Sequence, residues 1–453
     1  MQLMEVRTRI APSPTGIPHI GNTRTVLFNY LFVKKNNGKF IVRLEDTDRE
    51  RYVPESVPKI LEILQWLGIG YDEGPYVQSE RLTIYKKYAE ELVDKGAAYY
   101  CFCNAERLEQ VKKKQEEKHE PPRYDRYCLG HITTEEAKKK IDSGEKFVIR
   151  LRVPDDGETG WKDLVRGEIT VKNKEIDDQI LLKSDGFPTY HLGVVVDDYL
   201  MKISHVLRGA EWISSTPKHI LLYKAFGWEL PEFGHLPLVL GPDRAKLSKR
   251  HGAKSALDYR DEGYLPEAIL NTIFFWGFSP KSDKQFYSLE EMIKIFDLSG
   301  VQPSDAIVDL NKLDFFNGYY IRQKSGQELA ELMNKKDVDL RIIDLVKDRM
   351  KKLTDFDSLT NYFYNVPQFD LSLMPKTINS EQRKKIIEGF VNNLTIFEEC
   401  GRKMAAEMNL KVGDVFMVPR VAITGSIATP PLCDIIKILG MEETILRLRS
   451  GLT

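Results

Sequence analysis

Val6-Arg7-Thr8-Arg9-Ile10-Ala11-Pro12-Ser13-Pro14-Thr15-Gly16-Ile17-Pro18-His19-Ile20-Gly21-Asn22 sets the architecture of the chain. Residues 6–11 read as a short strand. Pro12, Pro14 and Pro18, with Gly16 among them, exclude both regular states from residues 12–18. From Asn22 onward Leu27, Tyr30, Leu31 and Lys34 recur at helical spacing, so His19-Ile20-Gly21 falls at or just before a helix N-terminus. Such an end presents unpaired N–H groups and the positive pole of the helix dipole. Gly21 lets an anionic ligand approach the backbone there, and His19 can donate to a phosphate oxygen.

Working outward, residues 40–44 read as a strand running into the acidic cluster Glu45, Asp46 and Asp48. Pro54 opens a helix whose Val57, Ile60, Leu61, Leu64 and Leu67 form a buried stripe stopped by Gly68. Ser79 is expected to cap another, with Leu82, Tyr85, Ala89 and Leu92 on one face. Alternating strands and helices predict an α/β unit with a parallel sheet. Between residues 101 and 185 a charged helix, Pro121-Pro122-Arg123 and β-like runs at 147–152 and 168–171 read as an insertion. Strand character returns at 192–196 and 205–207, and 215–226 reads as helix. Beyond residue 252 the chain turns helical, and 325–453 is amphipathic helix almost throughout. On the loop after the last strand, Lys246-Leu247-Ser248-Lys249-Arg250 sets two lysines about a serine, a cationic clamp for a polyphosphate.

The bulk composition narrows the class. At about 150 residues per domain, 453 residues make roughly three domains. A hydrophobic fraction of 42% with 29% charged residues is that of a soluble globular protein and excludes disorder as the main theme. No stretch approaches the roughly 18 apolar residues of a membrane helix, and residues 1–10 hold no signal-peptide core, so a cytoplasmic protein is expected. The 66 Lys and Arg against 67 Asp and Glu leave no bulk excess of positive charge, so a nucleic-acid partner must be argued from motifs. Five cysteines are too few for a disulfide framework, and Cys101, Cys103 and Cys128 fall inside the insertion with Tyr124 and His131 close by. Thiolates with an imidazole suit a tetrahedral zinc. Cys400 and Cys433, in helical surroundings, read as core.

The ordered pair of His19-Ile20-Gly21 and Lys246-Leu247-Ser248-Lys249-Arg250 resembles the two signatures of class I aminoacyl-tRNA synthetases. More specific stretches are Arg9-Ile10-Ala11-Pro12-Ser13-Pro14-Thr15-Gly16, Arg43-Leu44-Glu45-Asp46-Thr47-Asp48, Lys183-Ser184-Asp185-Gly186 and Arg208-Gly209-Ala210-Glu211-Trp212. They are similar to glutamyl-tRNA synthetases of the bacterial type, in order along essentially the whole chain. The resemblance implies a Rossmann-type α/β catalytic domain split over 1–100 and 186–251. Within it lies an inserted α+β acceptor-stem-binding domain at 101–185. A helical linking domain at 252–324 and an all-α anticodon-binding region at 325–453 complete the chain.

It also implies an ATP-dependent glutamate–tRNA ligase. L-Glutamate would be activated to an adenylate, with tRNA binding needed first, and passed to the terminal adenosine of tRNA(Glu) by a cytoplasmic monomer. Two carboxylates and an ammonium call for guanidinium forks and an acid. The resemblance gives Arg9, Ala11, Ser13, Glu45, Tyr190 and Arg208 to glutamate, and His19, Gly21, Glu211, Trp212, Leu238 and Lys249 to ATP with Mg²⁺. His19, Lys246 and Lys249 are the expected catalytic groups. Some relatives carry a zinc cluster like Cys101, Cys103 and Cys128, with the fourth ligand open between Tyr124 and His131. Some also place an asparagine where this chain has Val194, and an arginine like Arg349 against the third anticodon base. A glutamine-specific relative would continue into β-barrels, a glutamyl-queuosine-type tRNA modifier would end near residue 300, and a plain nucleotidyltransferase would lack the long helical region. A non-catalytic paralogue would have lost His19, Glu45, Lys246 or Lys249, which are all present.

Overall fold

The computed structural model describes residues 5–245, 247 and 254–452, so Lys246 and Lys249 lie outside the described residues. The chain forms two compact units, Met1–Tyr259 with Ile269–Asp309, and Arg260–Ala268 with Leu310–Thr453.

The first unit opens with β1 (Arg7–Ile10), α1 (Ile20–Lys35), β2 (Lys39–Leu44), α2 (Ser56–Trp66), β3 (Glu73–Val77) and α3 (Leu82–Asp94). Strands β1, β2 and β3 are parallel, with Arg9 opposite Ile41 and Arg43 opposite Tyr76. β1 is buried along its whole length, as expected of a parallel strand covered on both faces. Leu27, Phe28 and Leu31 of α1 are fully buried. Then come β4 (Ala98–Cys101), α4 (Ala105–Glu117), α5 (Tyr127–His131), α6 (Thr134–Asp142), β5 (Val148–Leu151), β6 (Glu158–Asp163), β7 (Gly167–Lys172) and β8 (Ile180–Leu182). The series ends in α7 (Tyr190–Leu200), β9 (His205–Gly209), α8 (Thr216–Phe226) and β10 (Glu232–Leu236).

Strands β4, β5 and β8 make a small antiparallel sheet, while the β6–β7 hairpin joins β9 and β10 in a four-stranded sheet of order β7-β6-β10-β9. The β1-β2-β3 sheet and this four-stranded sheet meet where β1 runs beside β9. There the Ser204 N–H donates to the Arg7 carbonyl at 3.1 Å, and the Asn29 side chain of α1 donates to the Leu207 carbonyl at 3.0 Å. On either side of this seam the chain winds in opposite directions. Open α/β sheets bind their ligands in the crevice beyond the carboxyl ends of strands at such a point.

Residues 192–196 are helical rather than extended. Leu192 to Asp198 are all buried, so α7 has no polar face to reveal a helical period, and Val194-Val195-Val196 mimics a buried strand. Val194 packs in the core with Tyr85, Leu92 and Leu222. Ser79 caps nothing: it sits in a 3₁₀ turn before α3, and its N–H donates to Asp46 at 2.8 Å. Pro54 precedes α2 by two residues instead of opening it, and β3 had no sequence signal because Gly74 and Pro75 interrupt it.

The second unit is helical from Leu310–Gln323 to Met441–Ser450, with no strand among its described residues. Capping boxes at Ser325 and Asn379 start two of its helices. Ile386, Phe390, Val415, Val418 and Ile435 centre one core, and Leu329, Ile343, Val346 and Phe356 a second.

Candidate active site

A cavity of about 610 Å³ opens at the carboxyl ends of β1 and β9. Arg9, Ala11, Ser13, His19, Glu45, Tyr190, Arg208, Glu211 and Trp212 all line it, brought together from β1, the proline-rich turn, the end of β2, α7 and β9. Gly21 and Leu238 do not line it. His19 is the N-cap of α1, its Nδ1 accepting the Gly21 N–H at 3.1 Å. A neutral ring so engaged carries its proton on Nε2. A Cβ at position 21 would stand 2.9 Å from the His19 ring, so this glycine makes room for the histidine to fold back over the helix end.

The two sides of the cavity are charged differently. On the β1–β2 side Arg9 is locked to Asp198 of α7 by two bonds of 3.0 and 3.2 Å. The same carboxylate accepts from Arg43 at 2.8 Å, and Arg43 reaches Glu45 at 3.1 Å. Asp197 pairs with Arg81 at 3.0 Å and accepts from Gln78 and Tyr85. Three arginines thus meet three acids, nearly all fully buried. Burial would raise Asp198, but Arg9 and Arg43 outweigh it and hold the carboxyl below its ordinary range. For Glu45 burial wins over Arg43 and Arg9, and its pKa is pushed up to about 7.

On the β9 side Arg208 is buried yet has no acid within ion-pair distance among the described residues. Its partners are neutral. It donates to the Tyr190 hydroxyl at 3.0 Å, Thr216 Oγ1 at 2.8 Å, His235 Nε2 at 3.1 Å and, at 3.3 Å, to His219 Nδ1. His191 stands behind His219 at 3.1 Å. Burial and the nearby cations, including Arg208, push His219 well down and His191 to about 3, so both rings stay neutral. Trp212 lies against Tyr190 with ring centroids 4.4 Å apart.

Sequence reasoning did not find Asp197, Asp198, His219 or His235. A signal existed for the acids: Arg43 follows the apolar run Phe40-Ile41-Val42, and a buried guanidinium demands carboxylates elsewhere. Reading α7 as a strand hid the adjacent pair that supplies them.

Away from the cavity, Cys101, Cys103 and Cys128 place their sulfurs within 4.8 Å of one another. Tetrahedral zinc with bonds near 2.3 Å needs sulfurs about 3.8 Å apart, so the donor set fits. The Tyr124 hydroxyl lies 3.4 Å from both Cys101 and Cys103. His131 is exposed, stacked on Tyr127, with Nδ1 2.9 Å from the Tyr127 carbonyl. Hydrogen bonding from Cys128, against burial and with help from Tyr124, pulls the Cys101 thiol down to about 4, while Cys128 is pushed up. In the helical unit Arg349 ends a 3₁₀ turn, Lys347–Arg349, and is exposed. Cys400 is core, and Cys433 is half-buried beside Glu398.

A family model described as tRNA synthetases class I (E and Q), catalytic domain, matches residues 5–315, and an anticodon binding domain model matches 320–452. The glutamate–tRNA ligase of Treponema denticola is 42% identical over 99% of both chains. That of Borrelia duttonii is 45% identical over 99% of this chain and 96% of its own. The crystal structure of a glutamate tRNA ligase from Elizabethkingia meningosepticum, in complex with its amino acid, shares 35% identity over 99% of each chain, with a TM-score of 0.89. With its crevice at the β1–β9 seam and its helical second unit, the chain belongs to the glutamate–tRNA ligase family of class I aminoacyl-tRNA synthetases.

Proposed function

We propose that the chain activates L-glutamate with ATP and esterifies it to the terminal adenosine of tRNA(Glu), tRNA binding preceding activation. The observation that carries this reading is the charge pattern of the cavity. A buried arginine without an acid, Arg208, and a carboxylate whose burial outweighs its cations, Glu45, line one cavity. Arg208 and Arg9 receive the carboxylates of glutamate, with Tyr190 beside them, while Glu45, Ser13 and Ala11 hold the ammonium end.

The α-carboxylate attacks the α-phosphorus in line and pyrophosphate leaves, so the protein's work is positioning and charge stabilisation. His19 at the start of α1 meets the phosphates with Gly21 behind it, and Lys246 and Lys249 neutralise the leaving group. Glu211, Trp212 and Leu238 take the nucleoside. Mg²⁺, when bound, screens the phosphate oxygens. In the second step the adenosine hydroxyl attacks the adenylate carbonyl and AMP departs.

Residues 1–100 and 186–251 form the catalytic domain in this reading, 101–185 holds the acceptor stem, 252–324 links, and 325–453 reads the anticodon with Arg349. Cys101, Cys103 and Cys128 hold a structural zinc, with Tyr124 favoured over His131 as fourth ligand because its hydroxyl lies among the sulfurs. No helix among the described residues is long and apolar enough to cross a membrane. The enzyme works in the cytoplasm as a monomer. Pyrophosphate exchange tests the reading: it should require glutamate and rise sharply with tRNA(Glu), and exchange with no amino acid would overturn it.

A further inference from the structure

Arg208 is held by groups that are themselves held. An arginine has only donors, so the His235 nitrogen facing its Nε at 3.1 Å, Nε2, must present a lone pair. The imidazole proton then sits on Nδ1, which faces Asp163 Oδ2 at 2.5 Å. The other oxygen of Asp163 is committed to backbone: it accepts from the N–H groups of Val165, Arg166 and His235 at 3.0 to 3.1 Å. Asp163 and His235 are both fully buried. Around the ring stand Asp163 and Trp161 from β6, Arg166 from the turn after it, Arg208 from β9 and Thr216 from α8.

We propose that Asp163 and His235 are positioning residues for the amino-acid site: the carboxylate fixes the Nδ1–H tautomer of His235, whose Nε2 lone pair aims the Arg208 guanidinium into the cavity as an uncompensated cation. The relay does two things that a direct acid partner on Arg208 could not. It orients the fork through Nε while keeping the Asp163 carboxylate one imidazole away, so the charge of Arg208 stays available to an incoming carboxylate. Asp163 also ends β6, a strand of the segment 101–185 that pairs with β10 through Phe233. That segment therefore sets the chemistry of an arginine with which its described residues share no hydrogen bond or ion pair. The proposal rests on the reading that Arg208 receives a carboxylate of glutamate.

Asp163→Asn is the informative change because the three backbone N–H groups keep the asparagine carbonyl in place and turn its NH₂ toward His235 Nδ1. The imidazole proton must then move to Nε2, where it meets the Nε–H of Arg208, donor against donor. The KM for glutamate in tRNA-dependent pyrophosphate exchange should rise about 10- to 100-fold while the KM for ATP stays within about twofold. ¹⁵N spectra of histidine-labelled enzyme should show neutral His235 protonated on Nδ1 in the parent and on Nε2 in the variant. An unchanged glutamate KM in Asp163→Asn, or a parent ring carrying its proton on Nε2 or on both nitrogens at pH 7, overturns the relay, and the parent spectrum decides even if the variant does not fold. Arg208→Lys separates this from the underlying reading. If Arg208→Lys raises the glutamate KM and Asp163→Asn does not, the relay alone fails; if Arg208→Lys leaves it unchanged, the assignment of Arg208 fails with it.

Discussion

The β1–β2 side of the cavity holds its arginines with acids, and the β9 side holds its arginine with neutral acceptors. Arg9, Arg43 and Arg81 close their charge against Asp197, Asp198 and Glu45. Arg208 is equally buried and as fully hydrogen-bonded, but by Tyr190, Thr216, His219 and His235. Hydrogen-bond satisfaction and charge balance are therefore separate properties. The first side is charge-balanced as folded, so Arg9 offers the cavity donors already neutralised by Asp198, whereas the second is satisfied in geometry and unsatisfied in charge. In the proposed reading a carboxylate of glutamate completes it.

Breaking the first side should cost the most. Asp198→Asn leaves Arg9 and Arg43 without the carboxylate they share, and stranding buried charge costs about 3–5 kcal/mol. Urea unfolding should show that loss even without substrate. A variant as stable as the parent would mean the network is dispensable to the fold.

The second side should respond in the opposite sense. Arg208→Met removes a buried cation that no acid balances, so stability should hold or rise slightly. Glutamate-dependent exchange should nevertheless fall ~10²- to 10³-fold, as when a buried charge pair loses one partner. If Arg208→Met instead unfolds the protein as Asp198→Asn does, the two sides do not differ as argued.

Glu45 stands between the two and titrates near neutrality, which gives a pH test. Its folded pKa of about 7 lies above the ordinary carboxylate value because burial outweighs the pull of Arg43 and Arg9. A group whose folded pKa is raised binds its proton more tightly when folded, so its contribution to stability is present at low pH and is lost as pH rises from about 4.5 to about 7. Ligand binding runs the other way, since an ammonium needs the ionised carboxylate. Glutamate affinity should climb about tenfold per unit below pH 7 and level off above it. Calorimetric titration at several pH values reads this directly, and Glu45→Gln should flatten the profile.

Much of the molecule is legible in its sequence, and the failures share one cause. The strand at Arg7–Ile10, the helix start at His19 and the helical character of residues 325–453 each carry a local signal: a proline-rich turn, a cap, a 3.6-residue period. α7 carries none, because a helix buried on every side loses its polar stripe, and with it went Asp197 and Asp198. His235 and Asp163 lie 72 residues apart and meet only through the pairing of β6 with β10. No spacing rule anticipates such a contact. Gly21 was legible as a glycine at the helix start, and its missing side chain also accommodates the His19 ring.

The same contrast extends to the helical unit at the smallest expected effect. Arg349 and Arg420 lie close enough to act on the same tyrosine, Tyr362, and neither has an acid within ion-pair distance among the described residues. Arg420 spends its guanidinium on Thr429 and the Pro430 carbonyl, while Arg349 is exposed. In the proposed reading Arg349 meets a splayed anticodon base or its phosphate. The third anticodon base is cytosine in glutamate tRNA and guanine in glutamine tRNA. A donor-only side chain suits the acceptors on the cytosine edge and meets donors on that of guanine. Because Arg349 is solvated, Arg349→Gln should shift the charging ratio of the two tRNAs by only about 1 kcal/mol, the low end for one base contact. Parallel aminoacylation of both transcripts measures that ratio. If both tRNAs instead weaken equally, and the dependence of log affinity on log salt falls by about one, Arg349 contacts phosphate and discrimination lies with another residue.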